Sequence, residues 1–420
     1  MFDFDMLGLA PTLNTALSRA GFAQPTPIQA QAIPLAMEGH DIMGLAQTGT
    51  GKTLAFGLPL VDHLLGEPGK PAPKTAKALI LAPTRELANQ IAESLRTLTD
   101  GTRLRVATVV GGQSLGRQIS LLSRGTDILV ATPGRLIDLM ERGAVDLGQV
   151  RHLVLDEADQ MLDLGVIHAL RKIAPRLGTP RQTMLFSATM SKQMEELSRA
   201  YLTTPRRVQV SPPGKAADKV TQSVHFLDKA EKPGRLREIL SRDEAALTLV
   251  FARTKHGAEK LMKGLVADGF NAASIHGNKS QGQRDRAIKA FRSGAINTLV
   301  ATDVAARGID IPGVTYVINY DLPDVPDNYV HRIGRTARAG REGEAIAFCA
   351  PDEADLLRQI QKLMKIEVPV ARGNSPLAEG DDAAGGRRNG ARRHRGKPAG
   401  GAGGAPKPAK RRRPRRPQAA

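Results

Sequence analysis

The sequence predicts an α/β protein: two tandem units, each an open parallel sheet, followed by a disordered basic tail. Three observations predict it. Short apolar runs recur without alternation, each ending in a polar or glycine-rich turn before a helical stretch. The same grammar appears on both sides of Ser211-Pro212-Pro213-Gly214-Lys215. Past residue 370 the large apolar residues give way to Gly, Ala, Pro and Arg. Continuous apolarity marks strands covered on both faces, and strand–helix alternation marks a parallel sheet.

In the first half the runs are 78–82, 127–131, 152–155 and 183–186, with a shorter one at 42–45. In the second half they are 247–251, 298–301, 314–318 and 345–348. Between runs the period lengthens. Leu87, Ile91, Leu95 and Leu98 recur at three- and four-residue spacing, which places one apolar helix face on a sheet. Pro-Pro-Gly breaks both helix and ladder. The expected division is residues 1–209, a connector at 210–216, a second unit at 217–370 and a tail at 371–420.

The chain has 420 residues and a formal net charge of +18. Its 41% apolar content suffices for real cores, so a wholly disordered chain is excluded. No apolar run approaches the roughly 18 residues that a membrane span needs. The start, Met1-Phe2-Asp3-Phe4-Asp5, is acidic where a signal peptide is basic. A single cysteine, Cys349, forbids an intrachain disulfide and any cysteine-based zinc cluster. These facts fit a reducing compartment, most simply the cytoplasm. The tail concentrates the charge, with 14 Lys and Arg against three Asp and Glu, and no Phe, Tyr or Trp. Such a segment is expected to tether nucleic acid through phosphates with little base preference; a solubilising tail is the plainer alternative.

Ala46-Gln47-Thr48-Gly49-Thr50-Gly51-Lys52-Thr53 follows the run 42–45 and opens a helical stretch. It has the form of a P-loop, with Ala46 where the first glycine usually stands. Backbone N–H groups at a helix start cradle phosphates. Lys52 is expected on the β- and γ-phosphates, and Thr53 on Mg²⁺. Asp156-Glu157-Ala158-Asp159 follows an apolar run. Beside a P-loop, Asp156 is the expected Mg²⁺ partner and Glu157 the residue that orients or deprotonates the attacking water. No Asn-Lys-x-Asp element is present to read guanine: Asn278-Lys279-Ser280-Gln281 fails at its last position.

With these motifs in order, residues 2–370 resemble the DEAD-box RNA helicases of superfamily 2, most like the bacterial RhlE type. The resemblance implies two RecA-like domains, ATP and Mg²⁺ as ligands, and RNA as partner. Gly21-Phe22 through Gln29 is similar to the family's adenine-reading segment, with Gln29 on the adenine edge and Phe22 offering a ring face. Pro83-Thr84-Arg85-Glu86-Leu87, Gly111-Gly112-Gln113 and Thr132-Pro133-Gly134-Arg135 resemble the RNA-contacting motifs of the first domain. Ser187-Ala188-Thr189 is similar to the motif that couples ATP binding to strand separation; alone it also reads as a helix cap. In the second half, Arg253, Gln281, Arg284 and Thr302 fall on motifs that touch RNA or the other domain. Asp303 and His331 fall on coupling positions, and Gly308 and Asp310 on the nucleotide side.

His331-Arg332-Ile333-Gly334-Arg335-Thr336-Ala337-Arg338 resembles the arginine-finger motif, with Ala337 where the family usually has Gly. The spacing of Arg335 and Arg338 predicts one helical face directed at the γ-phosphate. The implied activity is ATP-dependent unwinding of short RNA duplexes, or remodelling of RNA–protein complexes, by a monomer with no membrane partner. An ATP-driven RNA clamp and, less favoured, a DNA translocase are the competing readings.

Overall fold

The computed structural model describes residues 3–47, 49–210, 220–306, 311, 313–337 and 342–374. In the first half, seven strands form one sheet: β1 (Ile42–Leu45), β2 (Ala76–Leu81), β3 (Val106–Val109), β4 (Thr126–Ala131), β5 (His152–Leu155), β6 (Gln182–Ser187) and β7 (Arg206–Gln209). Their order is β3-β4-β2-β5-β6-β1-β7. The second half repeats it with β8 (Val220–Phe226), β9 (Leu247–Phe251), β10 (Ala272–Ile275), β11 (Thr298–Ala301), β12 (Val314–Asn319), β13 (Gly343–Cys349) and β14 (Val370–Arg372). Here the order is β10-β11-β9-β12-β13-β8-β14, strand for strand the same topology. The pairings are parallel, as the unbroken apolar runs predict.

Burial explains those runs. Along β2, Ile80 joins Val130 and Val154 in the core on one face, while Leu79 and Leu81 join Leu129 and Leu153 on the other. In the second sheet Val250, Val300 and Ile318 pack on one face and Leu249, Leu299 and Val317 on the other. Each buried Leu or Val of this kind contributes roughly 1.5–3 kcal/mol. The helix predicted from Leu87, Ile91, Leu95 and Leu98 spans Arg85–Thr99; Thr84 caps it by accepting a hydrogen bond from Leu87 N.

The five strands not predicted are β3, β7, β8, β10 and β14. They are short, small-residued, alternating or peripheral. β7, with sequence Arg-Arg-Val-Gln, buries only Val208. The expected tail start at 371 needs correction: β14 continues to Arg372 because it adds to the exposed edge of β8. The rest of the tail, and the expected connector beyond residue 210, lie outside the described residues. Among the described residues no helix is long and apolar enough to cross a membrane.

Candidate active site

Most of the predicted motifs follow the carboxyl end of a strand, the edge where ligands collect in open α/β sheets. The segment Gly21–Gln29 instead precedes β1, and the motif that opens at His331 lies at the end of the helix Pro326–Ile333. After β1 come Ala46 and Gln47; Thr48 is outside the described residues. Gly49 and Gly51 have φ of 84° and 92°, left-handed values that a side chain resists. Thr50 donates its hydroxyl to the Gln47 carbonyl at 2.7 Å. A Cβ on Gly51 would lie 2.4 Å from Gln29 Nε2, so glycine is required there by space as well as by φ. The turn delivers Lys52 and Thr53 as the first two residues of the helix Lys52–Gly66. Lys52 is only 5% exposed. Its Nζ lies 3.6 Å from Asp156 Oδ1 and makes no hydrogen bond among the described residues. A buried ammonium so weakly partnered, behind a left-handed glycine cradle, fits a phosphate ligand.

Gln29 has two local duties. Its Oε1 accepts from Thr26 N at 2.9 Å, closing a capping box, and its Nε2 donates to Gly51 O at 2.9 Å. An amide carries two donors and two acceptor lone pairs, so one of each remains for an adenine edge. Phe22 is 46% exposed, an available ring face.

Asp156 and Glu157 follow β5 and are each 2% exposed. Asp156 Oδ1 accepts from Glu157 N at 2.9 Å. Burial pushes the Asp156 carboxyl up to about 6, against the pull of Lys52. Glu157 sits at φ 51°, a left-handed conformation unusual for a side-chain-bearing residue. That strained residue makes the sharp turn from β5 into the helix Ala158–Asp163. Asp159 then reaches the loop after β6. Its Oδ2 accepts from Ala188 N at 2.9 Å, Thr189 N at 3.0 Å and the Thr189 hydroxyl at 3.3 Å. Ser187 donates to Thr189 O at 2.7 Å. Residues 187–189 are thus tied to the acidic box rather than capping a helix; Ser191 caps the next one.

A second group lines a groove of about 450 Å³ shared by both sheets. Pro83, Thr84, Arg85, Thr132, Gly134 and Arg135 contribute from the first sheet, Arg284 from the second. Arg85 lies across Gly112, where a Cβ would stand 2.0 Å from Arg85 Nη1. The glycine pair therefore makes room for a guanidinium. Arg85 Nη1 donates to Gln281 Oε1 at 3.2 Å, and Gln281 Nε2 donates to Glu86 at 3.0 Å. Arg284 pairs with the same Glu86 oxygen at 3.0 Å. Arg135, which follows Pro133 at the start of its helix, donates to Gln118 Oε1 at 2.9 Å and to Gln113 O at 3.2 Å.

On the second sheet Thr302 and Asp303 follow β11. Asp303 accepts from Arg332 Nε at 2.5 Å and Nη2 at 2.7 Å, a bidentate pair. Arg332 is 2% exposed, also bonds Asn319 and the Asp321 carbonyl, and lies over the Phe251 ring at 4.9 Å. Arg335 is buried, lines a small cavity with His331 and Arg332, and donates Nε to His331 O at 3.2 Å. The expectation of a continuous helical face through Arg335 is not met. The helix ends at Ile333, and Ala337 takes φ 54°, which no right-handed helix accommodates. Gly308, Asp310 and Arg338 lie outside the described residues. Glu86, Asp159 and Arg332 were missed as individual residues, although each sits inside a motif already singled out.

The model of the DEAD/DEAH box helicase family matches residues 26–197, and that of the helicase conserved C-terminal domain matches 231–340. The chain is 43% identical over 365 residues to the ATP-dependent RNA helicase CshA of Limosilactobacillus reuteri, covering 87% of this chain and 72% of that one. It is 42% identical over 362 residues to the DEAD-box ATP-dependent RNA helicase CshA of Bacillus subtilis (strain 168), covering 86% and 72%. Among solved structures, S. cerevisiae Dbp5 bound to RNA and ADP BeF3 matches with TM-score 0.79 and 32% identity, over 89% of this chain and 96% of that one. A DEAD box protein from Methanococcus jannaschii is 36% identical over 88% and 99%, yet its TM-score is 0.52.

Proposed function

The chain belongs to the family of DEAD-box ATP-dependent RNA helicases, and on that premise we propose how its residues divide the work. The activity is RNA-dependent ATP hydrolysis coupled to RNA unwinding. Residues 1–209 and 217–372 act as two RecA-like domains joined by a connector at 210–216. ATP is held by Ala46–Thr53 and Gln29, with Phe22 against the base and Gly308 and Asp310 on the sugar side. Lys52 binds the terminal phosphates. Thr53 and Asp156 would hold Mg²⁺, which when bound would offset phosphate charge. Glu157 orients or deprotonates the attacking water. Arg335 and Arg338 come to the γ-phosphate when the domains close, where an arginine finger contributes about 10³–10⁵ in rate.

RNA lies along Thr84, Arg85, Gly112, Thr132, Gly134, Arg135, Arg253, Gln281, Arg284 and Thr302, gripped by its backbone. Residues 187–189, Asp303 and His331 couple the two ligands. ATP and RNA favour the closed form because each binds it better than the open one. The observation that carries the reading is Lys52: among the described residues, a buried ammonium with a single carboxylate 3.6 Å away and no hydrogen bond of its own. The tail adds an electrostatic tether. The protein works as a cytoplasmic monomer away from membranes. Its placement nearest the RhlE type rests on Phe2-Asp3-Phe4, Leu9 and the basic composition after residue 370.

The test is displacement of a short RNA duplex with ATP turnover recorded in parallel. Wild-type protein should do both, and Lys52→Ala and Glu157→Gln should do neither. Wild-type turnover in either variant refutes the site. Turnover without displacement favours the clamp. Removing residues 375–420 should weaken RNA binding and flatten its salt dependence; an unchanged slope rejects the tether.

A further inference from the structure

Outside this site, one buried charge cluster has no assigned role. Lys232 opens the helix Lys232–Leu240 after β8 and is 2% exposed; Glu353, after β13, is 3% exposed. Lys232 Nζ donates to Glu353 Oε2 at 2.7 Å and to the Tyr320 carbonyl at 2.8 Å, with Asp321 Oδ1 at 3.5 Å. Glu353 also accepts from Ala350 N at 3.1 Å and Leu322 N at 3.3 Å. Its remaining bond goes to a predicted RNA contact: Oε1 accepts from Arg253 Nη2 at 2.7 Å.

Arg253 is held on several sides. Nη2 also donates to Leu322 O at 3.1 Å, Arg253 N donates to Asp321 Oδ2 at 2.9 Å, and Nε lies 3.6 Å from Asp324. Among the described residues Nη1 has no hydrogen-bond partner. The guanidinium is part-exposed, at 37%, with one edge fastened inward. One carboxylate thereby joins four loops at the carboxyl edge of the second sheet, those after β8, β9, β12 and β13.

We propose that Glu353 is a positioning residue for RNA: it fixes one edge of Arg253 so that the other edge meets a phosphate without prior ordering, while Lys232 neutralises the buried carboxylate. The inference rests on the reading of Arg253 as an RNA contact. A fixed guanidinium loses less freedom on binding than a mobile one, so the effect falls on RNA affinity and not on the chemical step.

Glu353→Gln alone strands a buried ammonium and risks misfolding. The informative variant is Lys232→Met with Glu353→Gln, which removes both charges and replaces the charge-assisted bond that fastens Arg253 with a weaker neutral one. RNA-stimulated ATPase is measured on the full chain against a poly(U) 20-mer. The expected result is a five- to tenfold rise in half-saturating RNA, with kcat at saturating RNA and KM for ATP within twofold. Arg253→Ala should raise half-saturation comparably, and combining it with the double variant should add nothing further. If Arg253→Ala has no effect, the RNA reading of Arg253 fails and the proposal with it. If Arg253→Ala weakens RNA but the double variant does not, or if their effects multiply, Glu353 is structural and the proposal alone fails.

Discussion

The two sheets share one topology, and each places a buried lysine at the first position of the helix after the corresponding strand: Lys52 after β1 and Lys232 after β8. Each lysine also faces an aspartate beyond the corresponding central strand, Asp156 after β5 and Asp321 after β12. They differ in what completes the set. Lys52 follows a glycine cradle and has one carboxylate at 3.6 Å. Lys232 follows an ordinary turn and is satisfied by Glu353 at 2.7 Å and a carbonyl at 2.8 Å. In the second sheet an internal carboxylate stands where, on the proposed function, the first sheet leaves room for phosphate. A shared framework thus becomes a ligand site or a structural joint according to whether the chain supplies its own anion.

The largest effect that tests this contrast is catalytic. Lys52→Ala should bring RNA-stimulated ATP turnover to background, and Arg335→Ala should lower it by about 10³-fold or more. Neither should unfold the protein; turnover in Arg335→Ala within tenfold of wild type breaks the assignment.

The next effect is on stability and should be confined to the other lysine. Lys232→Ala leaves Glu353 buried without its main counterion, a change worth about 3–5 kcal/mol. Amide hydrogen exchange in β9 and β12 should accelerate by orders of magnitude while β2 and β5 keep their protection. Lys52→Ala should leave exchange in both sheets close to wild type. Equal losses from both substitutions would erase the distinction.

Acid should weaken the second sheet. His225, on β8, is held down at about 4, first by burial and then by Arg235, Arg372 and Arg242; its Nδ1 accepts from Arg235 Nε at 3.0 Å. An unfolded chain binds this proton below pH 6.5, whereas the folded chain resists it until about 4. Stability from this group is therefore unchanged above 6.5 and falls as pH drops from 6.5 towards 4. Glu259 is lowered to about 2 by Lys279, Ser274 and His276, and its contribution is lost between 4.5 and about 2. Denaturant midpoints against pH should show two descents, and His225→Gln should flatten the upper one.

The smallest effect concerns Ala337. At φ 54° its methyl costs about 1 kcal/mol relative to glycine, less what glycine loses through a freer unfolded chain. Ala337→Gly should be stabilising or neutral, with turnover preserved. A destabilised variant would show that this turn prefers its methyl.

Legibility followed locality. The apolar runs of β2, β4, β5 and β9 declared themselves because both faces are buried, whereas β7 reads as Arg-Arg-Val-Gln and gives no signal. The P-loop and the acidic box were legible because each is contiguous in sequence. Lys232 and Glu353 lie 121 residues apart, and neither has a motif around it to announce the pair. The arginine-finger spacing misled because a separation of three implies one face only while the helix lasts, and this one stops at Ile333.

The clasp at Arg85 and Glu86 carries one more consequence. These chain neighbours grip Gln281 and Arg284 across the groove, so the handle proposed for a polynucleotide doubles as a latch between the halves. On the proposed function, how long the jaws remain shut and how firmly a strand is retained are governed by the same few atoms. Evolution or an engineer adjusting one dwell time at these positions inevitably adjusts the other.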